Sequence, residues 1–323
     1  MIDNYFKIIK KKFPAVKRNV LMKKHTTFNI GGPAEYFFIA KSKKDLLGII
    51  SLAKKLKVNI FVVGGGSNLL VSDNGFRGLI VKMQNKGHII LRKSNHIVEA
   101  PAGAVLGKVV QFSISKSLRG LEWAGGLPGT FGGAIRGNAG AFGGEIKDTV
   151  FKVEALDNNL KLRKLSNKQC NFSYRSSIFK EKNWIVLSAE LKMQKGDKKE
   201  LRDIANSHIN YRKEKHPLEY PNAGSIFKNV DFKKVPEEFK DLFLDKVKKD
   251  PFEIVPAAWF IIGAGLKGKT VGQAQISEKH SNYIVNLGNA KASDVSSLIE
   301  LAKDGVKQKY GISLEAEVQF IGE

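Results

Sequence analysis

The chain has 323 residues, a length that favours two domains, and its 42% apolar content is enough to build sizeable cores. Its 54 lysine and arginine residues outnumber 31 acidic residues, giving a formal net charge of +23. One cysteine, Cys170, excludes an internal disulfide and cysteine-based zinc or iron–sulfur sites. No apolar run reaches the roughly 18 residues that a membrane-spanning helix needs.

The basic charge keeps a nucleic-acid-binding protein as a distant alternative. The lysines are spread along the chain, however, and the sequence has no zinc finger, RNP-type motif or Gly/Arg-rich tail. We therefore expect no nucleic-acid partner, and interpret the charge as a solvated surface that also attracts an anionic ligand.

The amino terminus, MIDNYFKIIKKKF, predicts a short amphipathic helix and lacks the apolar region and cleavage site of a signal peptide. Together with the single cysteine, this favours a cytoplasmic protein. We expect a monomer with no membrane contact and no metal ion.

Helices and strands alternate through the first half of the chain. Ser42 and Asp45 form a capping-box-like pair ahead of an apolar stripe, which predicts a helix over 42–56. A second helix is predicted at 105–117, and strands at 59–63, 79–83, 97–100, 151–156 and 184–191. Residues 120–144 are too rich in glycine for an ordinary helix.

At about residue 198, strand-rich sequence gives way to a helix predicted over 198–214. We place the domain boundary there, with a first domain over 1–197 and a second over 198–323. A further helix is predicted over 293–309, with Ser293 as its cap.

The last segment, LEAEVQFIG, predicts a strand. Its alternation sets Leu314, Ala316, Val318 and Phe320 on the buried face. Glu315 and Glu317 then share the other face. The whole pattern indicates a mixed α/β or α+β fold.

Residues 263–270, GAGLKGKT, satisfy the P-loop pattern and begin with GxGxxG. Both patterns bind phosphate only between a strand and a helix. The following residues have no sustained helical period, and no acidic residue stands about 20 residues on to hold a ribose. We interpret both matches as accidental.

Two other segments are rich in glycine. GGGSNLL, at 64–70, follows an apolar strand and is explained equally well as a phosphate loop or an ordinary turn. Residues 125–145 contain nine glycines in 21 positions, which predicts a backbone wrapped around a flat or charged ligand. Two such loops in one domain favour a dinucleotide cofactor.

Read in order, the motifs resemble the UDP-N-acetylenolpyruvoylglucosamine reductase family from about His25 to Gly322. The matching segments are HTTFNIGGPAEYF, VGGGSNLL, DNGFRGLIV, GLEWAGGLPGTFGGA, NAGAFGGE, FSYRSSIF, NAGSIFKN, GAGLKGKTVGQAQISEKHSNYIVN and LEAEVQFIG. The resemblance implies an α+β fold, with a vanillyl-alcohol-oxidase-type (PCMH-type) FAD-binding domain in two lobes and a C-terminal α/β substrate domain. It also implies the short form of the family, without a tyrosine loop.

The implied reaction is the reduction of UDP-N-acetylglucosamine enolpyruvate to UDP-N-acetylmuramate, with FAD as cofactor and NADPH as hydride donor, in peptidoglycan precursor synthesis. The implied catalytic residues are Arg175 as the carboxylate clamp, Ser225 as the proton donor and Glu317 as the polarising carboxylate, with Glu315 as its alternative. The implied FAD-binding residues are Gly64, Gly65, Gly66, Ser67, Asn68, Leu69, Pro128, Gly129, Thr130, Gly132, Gly133, Asn138 and Gly140. The implied substrate-binding residues are Tyr174, Lys228, Asn229, Gln273 and His280.

Two segments depart from the family pattern. Arg136 and Gly137 replace a bulkier, less charged pair before NAG, and residues 231–258 look like an insertion in which Pro251 and Pro256 should break any helix. The second functional hypothesis is another FAD-dependent oxidoreductase on the same scaffold, acting on a sugar or an alcohol. It would not need the SYRSS, AGS and terminal carboxylate motifs.

Overall fold

A computed structural model describes residues 2–84, 87–92 and 96–322. Its α-helices are α1 Ile2–Lys12, α2 Lys43–Lys55, α3 Leu106–Ser115, α4 Phe131–Arg136, α5 Ile178–Glu181, α6 Lys198–Lys215, α7 Glu237–Phe243, α8 Ala257–Gly263 and α9 Ala292–Tyr310. Its strands are β1 Lys17–Leu21, β2 Pro33–Ala40, β3 Ile60–Val63, β4 Leu69–Val71, β5 Phe76–Met83, β6 Ile90–Arg92, β7 Ile97–Pro101, β8 Leu118–Arg119, β9 Gly140–Ala141, β10 Gly144–Glu145, β11 Val150–Leu156, β12 Leu162–Ser166, β13 Ile185–Lys192, β14 Gln194–Lys195, β15 Val230–Asp231, β16 Ile254–Val255, β17 Thr270–Val271, β18 Ala274–Ile276, β19 Ile284–Asn286 and β20 Gln319–Ile321.

The chain divides into two compact units. Unit 1 comprises Met1–Val20, Ala34–Gly65 and Arg77–Asn210, and unit 2 comprises Leu21–Pro33, Gly66–Phe76 and Tyr211–Glu323. The predicted FAD-binding domain over 1–197 and substrate-binding domain over 198–323 stay a prediction.

The first lobe of unit 1 is a four-stranded sheet in the order β1-β2-β5-β3, in which β3 and β5 run parallel. Helix α2 contributes Leu46, Ile49 and Ile50 to the lobe's core, all less than 3% exposed. The predicted cap is confirmed, since the Ser42 hydroxyl accepts a hydrogen bond from the Asp45 amide at 3.0 Å. Burial of each such apolar side chain stabilises the lobe by about 1.5–3 kcal/mol.

The second lobe of unit 1 is an antiparallel five-stranded sheet in the order β12-β11-β13-β7-β6. On the inner strand β11, Val153 pairs with Leu165 on one side and Ala189 on the other. Helix α3 packs Leu106 and Val109 into a core separate from that of the first lobe. The strands and helices predicted here from alternation and period are confirmed to within a few residues.

Unit 2 is built around the long helix α9. Its buried stripe of Val295, Leu298, Ile299, Ala302 and Val306 packs in a core with the three-stranded sheet β17-β18-β19. Strand β20 pairs in parallel with β4, so that Phe320 lies opposite Leu70.

Two details of the prediction are wrong. Ser293 is not the cap of α9, because the helix has already begun at Ala292. Phe320 is exposed and Ile321 buried, because β20 begins only at Gln319 and the alternation does not run unbroken from Leu314. The glycine-rich stretch is no ordinary helix, as predicted, and holds only the six-residue α4 and a 3-10 turn at Glu122–Ala124.

The interpretation of GAGLKGKT as an accidental match is confirmed. Helix α8 ends at its first glycine and strand β17 begins at Thr270, so the order is helix, turn, strand, the reverse of a P-loop. In the segment read as an insertion, α7 ends at Phe243 and α8 starts directly after its N-cap residue Pro256, so neither Pro251 nor Pro256 lies inside a helix.

No helix in the described part of the chain is long and apolar enough to cross a membrane. Among the same residues, no group of three or more histidine, cysteine, aspartate and glutamate side chains could hold a metal ion.

Candidate active site

The two glycine-rich segments of unit 1 lie against each other. A Cβ added at Gly64 would stand 2.3 Å from the Thr130 hydroxyl oxygen, and one added at Gly65 would stand 2.9 Å from the Gly129 Cα. The absence of side chains at 64 and 65 is therefore what lets the two loops touch. The result is a stretch of bare backbone, drawn from both loops, that a phosphate-containing ligand can approach closely.

Internal packing explains part of the glycine content of 125–145. Added Cβ atoms would lie 2.4 Å from the Ala205 carbonyl at Gly125 and 2.4 Å from the Trp123 ring at Gly144. At Gly133 and Gly137 the nearest atoms would be 3.4 and 3.5 Å away, which is ordinary contact. The expectation that a ligand accounts for the whole stretch is therefore too broad, and packing gives little reason for glycine at these two positions.

Asn138 is fully buried and serves the fold of this region. Its side-chain amide donates to the Glu145 carboxylate at 3.1 Å and to the Ser173 carbonyl at 3.0 Å, and its oxygen accepts from the Lys147 amide at 3.1 Å. These bonds tie the NAG segment to the start of SYRSS. The side chain of this predicted cofactor residue is thus already engaged with protein groups.

Arg175 is held in the left-handed region, with φ of 55°, which is uncommon for a residue other than glycine. Its Nη2 donates to the Gly140 carbonyl at 2.8 Å, and its guanidinium lies 5.1 Å from the centre of the Tyr174 ring. The Lys180 ammonium donates to the backbone carbonyl of Arg175 at 3.0 Å. The structure therefore brings together three predicted residues, namely Tyr174, Arg175 and Gly140. A guanidinium fixed in this way is suited to binding a carboxylate.

Arg136, where the sequence departs from the family pattern, lies in the last turn of α4. Its Nη2 donates to the Asn183 side chain at 3.2 Å, and its carbonyl accepts from the Ser177 hydroxyl at 2.7 Å. Burial lowers the pKa of its guanidinium. These contacts give Arg136 a place in the packing between α4 and the segment that follows Arg175.

The predicted cofactor residues fall in both units. Gly64 and Gly65 belong to unit 1 with those of the 128–140 segment, whereas Gly66, Ser67, Asn68 and Leu69 belong to unit 2. Within unit 2, the Asn68 side chain donates to the Glu317 carbonyl at 3.1 Å, and Leu69 is 6% exposed on β4. Asn68 thus also fixes the backbone of a predicted catalytic residue.

Ser225 and Glu317 are positioned by one junction in unit 2. The Glu317 amide donates to the Ile226 carbonyl at 2.7 Å, and the Ile226 amide in turn donates to the Asn282 carbonyl at 2.8 Å. The Asn282 side chain bonds both the amide and the carbonyl of Phe227, at 2.9 and 2.8 Å. The hydroxyl and the carboxylate therefore sit on neighbouring, mutually bonded backbones.

The neighbouring carboxylate, Glu315, forms an ion pair with Lys228 and accepts that residue's amide through its carbonyl at 2.9 Å. Its side chain is 69% exposed, while that of Lys228 is 15% exposed. Glu315 therefore compensates the charge of Lys228. This leaves Glu317 as the better candidate of the two for the role beside Ser225.

The other predicted substrate residues of unit 2 lie in separate settings. The Asn229 side-chain oxygen accepts from the amide of Ala257 at 3.2 Å, at the start of α8. Gln273 is exposed, and its backbone bonds to Asp294 and Leu287. His280 is more enclosed, and its Nδ1 accepts from the Asn282 amide at 3.3 Å.

Sequence reasoning missed three side chains near Ser225. Tyr283 is 7% exposed, and its hydroxyl lies 3.0 Å from Nδ1 of His216. The Ser225 side chain neighbours the same hydroxyl and acts to lower its pKa. The His280 ring centre is 4.8 Å from that of Tyr283 and 5.4 Å from that of His216. Arg212, 8% exposed, completes the cluster from the last turns of α6.

Electrostatics in this cluster favour neutral rings. Burial, followed by the nearby His280 and Arg212, lowers the pKa of His216 to about 4. Burial also lowers the pKa of His280. Burial raises the pKa of the Tyr283 phenol and the Glu317 carboxylate adds to this, while Arg212 and the Ser225 hydrogen bond act in the opposite direction.

One sequence signal could have indicated the cluster, because Arg212 and His216 are four residues apart at the end of α6, where the His216 amide donates to the Arg212 carbonyl at 2.9 Å. Two other side chains have settings of their own. The His208 ring stacks on Phe142 with centres 3.9 Å apart. Cys170 is fully buried, and burial raises the pKa of its thiol to about 12.

Known proteins similar to this chain include a flavin-binding domain family and one family of reductases. A family model described as an FAD binding domain matches residues 34–166, and one described as the C-terminal domain of UDP-N-acetylenolpyruvoylglucosamine reductase matches 216–321. The curated reductase of Caldanaerobacter subterraneus subsp. tengcongensis is 41% identical over 305 residues, covering 94% of this chain and 93% of that protein. The reductase of Caldicellulosiruptor bescii is 42% identical over 304 residues, covering 94% and 89%.

Among solved structures, the crystal structure of the reductase from Thermus caldophilus superposes with a TM-score of 0.75 at 29% identity, covering 95% of this chain and 99% of that one. The predicted fold class, with its FAD-binding domain and distinct C-terminal domain, is confirmed. The chain belongs to the UDP-N-acetylenolpyruvoylglucosamine reductase family.

Proposed function

We propose that this chain reduces UDP-N-acetylglucosamine enolpyruvate to UDP-N-acetylmuramate, with NADPH as reductant and FAD as cofactor, in the synthesis of peptidoglycan precursors. The observation that carries the proposal is the backbone bond from Glu317 to Ile226, since it joins the segment that carries Ser225 to the segment that carries Glu317 within a chain of this family. A positioned weak acid is what protonation of an enolate carbon requires.

The residues present fit FAD. Gly64 and Gly65 touch Gly129 and Thr130, so that amides of two loops are available to the pyrophosphate at close range. When bound, FAD supplies hydride transfer from NADPH to the vinyl carbon distal to the ether oxygen. We assign its binding to these four residues together with the other glycine-rich-loop residues of the sequence prediction.

Arg175 would bind the substrate carboxylate and stabilise the negative charge that spreads onto it when the vinyl carbon accepts hydride. Its guanidinium is always cationic and can form two parallel hydrogen bonds to a carboxylate. The bond to Gly140 and the contact with Tyr174 support a fixed orientation. A preorganised donor of this kind contributes about 2.7–4 kcal/mol to the stabilisation of developing charge.

Ser225 would then give its hydroxyl proton to the α-carbon, next to the carboxyl group. A serine is a very weak acid, but the enolate carbon is basic enough to take the proton from a hydroxyl held within reach. Glu317 would polarise the same carboxyl group. Its support is the backbone bond to Ile226 and the bond from Asn68 to its carbonyl.

The domains and the other substrate-binding residues are assigned to the same reaction. Residues 1–197 would form the FAD-binding domain, which also carries Tyr174 and Arg175, and 198–323 the C-terminal substrate-binding domain. The two matching family models lie within these spans. Lys228 would offer its cationic group to the nucleotide, alongside Tyr174, Asn229, Gln273 and His280. Only α5, β13 and β14 stand between Ser177 and α6, which supports the short form of the family.

We further propose that the chain acts as a monomer in the cytoplasm, where NADPH and nucleotide-activated sugars are available. Size-exclusion chromatography with light scattering would measure the mass directly. A particle of 35.8 kDa fits the proposal, and a dimer contradicts it.

The proposed reaction is tested by the visible absorption spectrum of the purified protein. We expect a flavin band that bleaches on anaerobic addition of NADPH and returns when the enolpyruvyl sugar nucleotide is added. A protein that is colourless and takes up no added FAD would contradict the proposal. Bleaching followed by no response to the sugar nucleotide would instead favour another flavoenzyme on this scaffold.

A further inference from the structure

We propose that Tyr283 and His216 form a relay that returns a proton to Ser225 after Ser225 has protonated the substrate. The proposal rests on the proposed function, in which Ser225 is the donor. It assigns these two side chains as positioning residues, because both act through Ser225 and not on the substrate directly.

The Tyr283 phenol connects the two ends of the path. Its oxygen lies 3.0 Å from Nδ1 of His216, which is within hydrogen-bond reach. The Ser225 side chain neighbours the same phenol and acts to lower its pKa as a hydrogen-bonding group. Tyr283 is almost fully buried, whereas His216 keeps part of its surface exposed. The path therefore leads from the serine toward the solvent.

The surroundings favour neutral relay groups. Cations face His216 from several segments, with Arg212 in the last turn of α6 and Lys248 and Lys279 elsewhere, and the His280 ring lies against it. The Glu317 carboxylate acts on Tyr283, where it raises the pKa of the phenol. A neutral imidazole can give a proton from one nitrogen while taking one at the other, which a permanently charged ring cannot do.

The proton balance closes without any further reactant. The Ser225 O–H bond breaks as the new C–H bond forms at the α-carbon. The phenolic proton of Tyr283 then passes to the serine oxygen, and the Nδ1 proton of His216 passes to the tyrosine oxygen. Nε2 of His216 takes one proton from water, so the ring ends neutral as the other tautomer, and the proton gained by the product comes from solvent.

The test is Tyr283→Phe, which removes the phenolic hydroxyl and keeps the ring, measured by stopped-flow absorbance of the FAD-loaded enzyme. We expect flavin reduction by NADPH to stay within about twofold of the unmodified rate, and reoxidation by the enolpyruvyl sugar nucleotide to slow at least about tenfold. His216→Asn should slow the same step. Tyr211→Phe is the matched control, since it removes a hydroxyl from an exposed tyrosine beside the cluster, and both rates should be unchanged.

Ser225→Ala separates failure of the relay from failure of the proposed function. If Ser225→Ala slows reoxidation but Tyr283→Phe and His216→Asn do not, the relay is overturned and the serine donor stands. If Ser225→Ala itself reoxidises at the unmodified rate, the donor assignment fails and the relay fails with it.

A solvent isotope experiment separates a relay from simple positioning of the serine. With two or more protons moving together, the reoxidation rate of the unmodified enzyme depends on the deuterium fraction of the solvent along a curve. Tyr283→Phe should make that dependence linear. A linear dependence in the unmodified enzyme would overturn the relay and leave Tyr283 as a residue that only orients Ser225.

A readout without turnover is the ¹⁵N spectrum of histidine-labelled protein in the absence of substrate. We expect a neutral His216 that carries its proton on Nδ1, as donation toward Tyr283 requires, and a shift of this signal in Tyr283→Phe. A neutral ring with its proton on Nε2 would contradict the proposed direction of transfer.

Discussion

The carboxylate of Asp73 closes the amino end of helix α9, 219 residues further along the chain. One oxygen accepts from the amide of Ala292 at 2.8 Å, and the other accepts from the amide and the hydroxyl of Ser293, both at 3.1 Å. The first amides of a helix have no partner within it, and a negative charge there also interacts favourably with the helix dipole. Asp73 therefore ties the segment after β4 to the central helix of unit 2.

Asp73→Ala should destabilise the protein by about 1–2 kcal/mol, because two helix amides lose their acceptor and the favourable charge is lost. The measurement is urea unfolding followed by circular dichroism, with a lower midpoint and an unchanged slope. Asp304→Ala, at an exposed position on the same helix, should leave the midpoint nearly unchanged. Equal effects of the two variants would show that Asp73 does not cap α9.

Gly64→Ala should weaken FAD binding, because its new methyl group would lie 2.3 Å from the Thr130 oxygen and would force the two glycine-rich loops apart. Such overpacking costs about 1–3 kcal/mol. We expect less flavin per protein after purification and a lower melting temperature. Gly107→Ala is the matched control, with nothing within 4 Å of the added carbon, and in helix α3 it should stabilise by about 0.5–1 kcal/mol. Full flavin content in Gly64→Ala would contradict the contact.

Local signals were sufficient for much of the fold. Ser42 and Asp45 are three residues apart, so the cap of α2 can be predicted from sequence. The cap of α9 cannot be predicted in this way, since its acceptor Asp73 is distant in the chain. Ser293 is the residue of a capping type that stands nearby in the sequence. Phe320 was misplaced for a related reason, because pairing of β20 with β4 begins at Gln319 and interrupts the alternation.

Some residues of the candidate site can be predicted from local sequence, and others cannot. Arg175, Ser225 and Glu317 stand in motifs that the sequence displays, and their placement in the reaction rests on those motifs. Tyr283 and His216 are 67 residues apart and meet only in the folded chain. Nothing in the local pattern of either residue predicts that their side chains share a hydrogen bond beside Ser225.

Arg175→Lys should slow reoxidation of the reduced flavin by the sugar nucleotide about 10²–10³-fold, since lysine keeps the charge but loses the planar fork that binds carboxylate. Reduction by NADPH should change little. Arg163→Lys is the control, as Arg163 is an exposed arginine of the same unit that pairs with Asp157. An equal loss in both half-reactions would indicate a general disturbance around Gly140 rather than loss of a substrate contact.

Ser225→Ala should slow the same step about 10²–10⁴-fold, because a positioned general acid is removed. The affinity for the sugar nucleotide should be nearly unchanged, since alanine retains the backbone that the Asn282 clamp holds. Single-turnover absorbance at several substrate concentrations measures both quantities. Ser207→Ala, on the exposed side of α6, should have no effect on either. Loss of affinity without loss of rate would assign Ser225 to binding only.

Stability should fall as the pH is lowered from about 6.5 toward 4, because the pKa of His216 is lowered to about 4 in the folded chain and is about 6.5 in the unfolded one. Between these values the unfolded state binds more protons, so the free energy of unfolding rises with pH. The shift corresponds to about 3 kcal/mol, and solvent screening of this partly exposed ring reduces the expected loss to about 1–2 kcal/mol. His280, whose pKa is also lowered, adds in the same direction. Urea unfolding at pH 7, 5.5 and 4.5 measures the slope, which His216→Gln should reduce; an unchanged slope in that variant would contradict the assignment to His216.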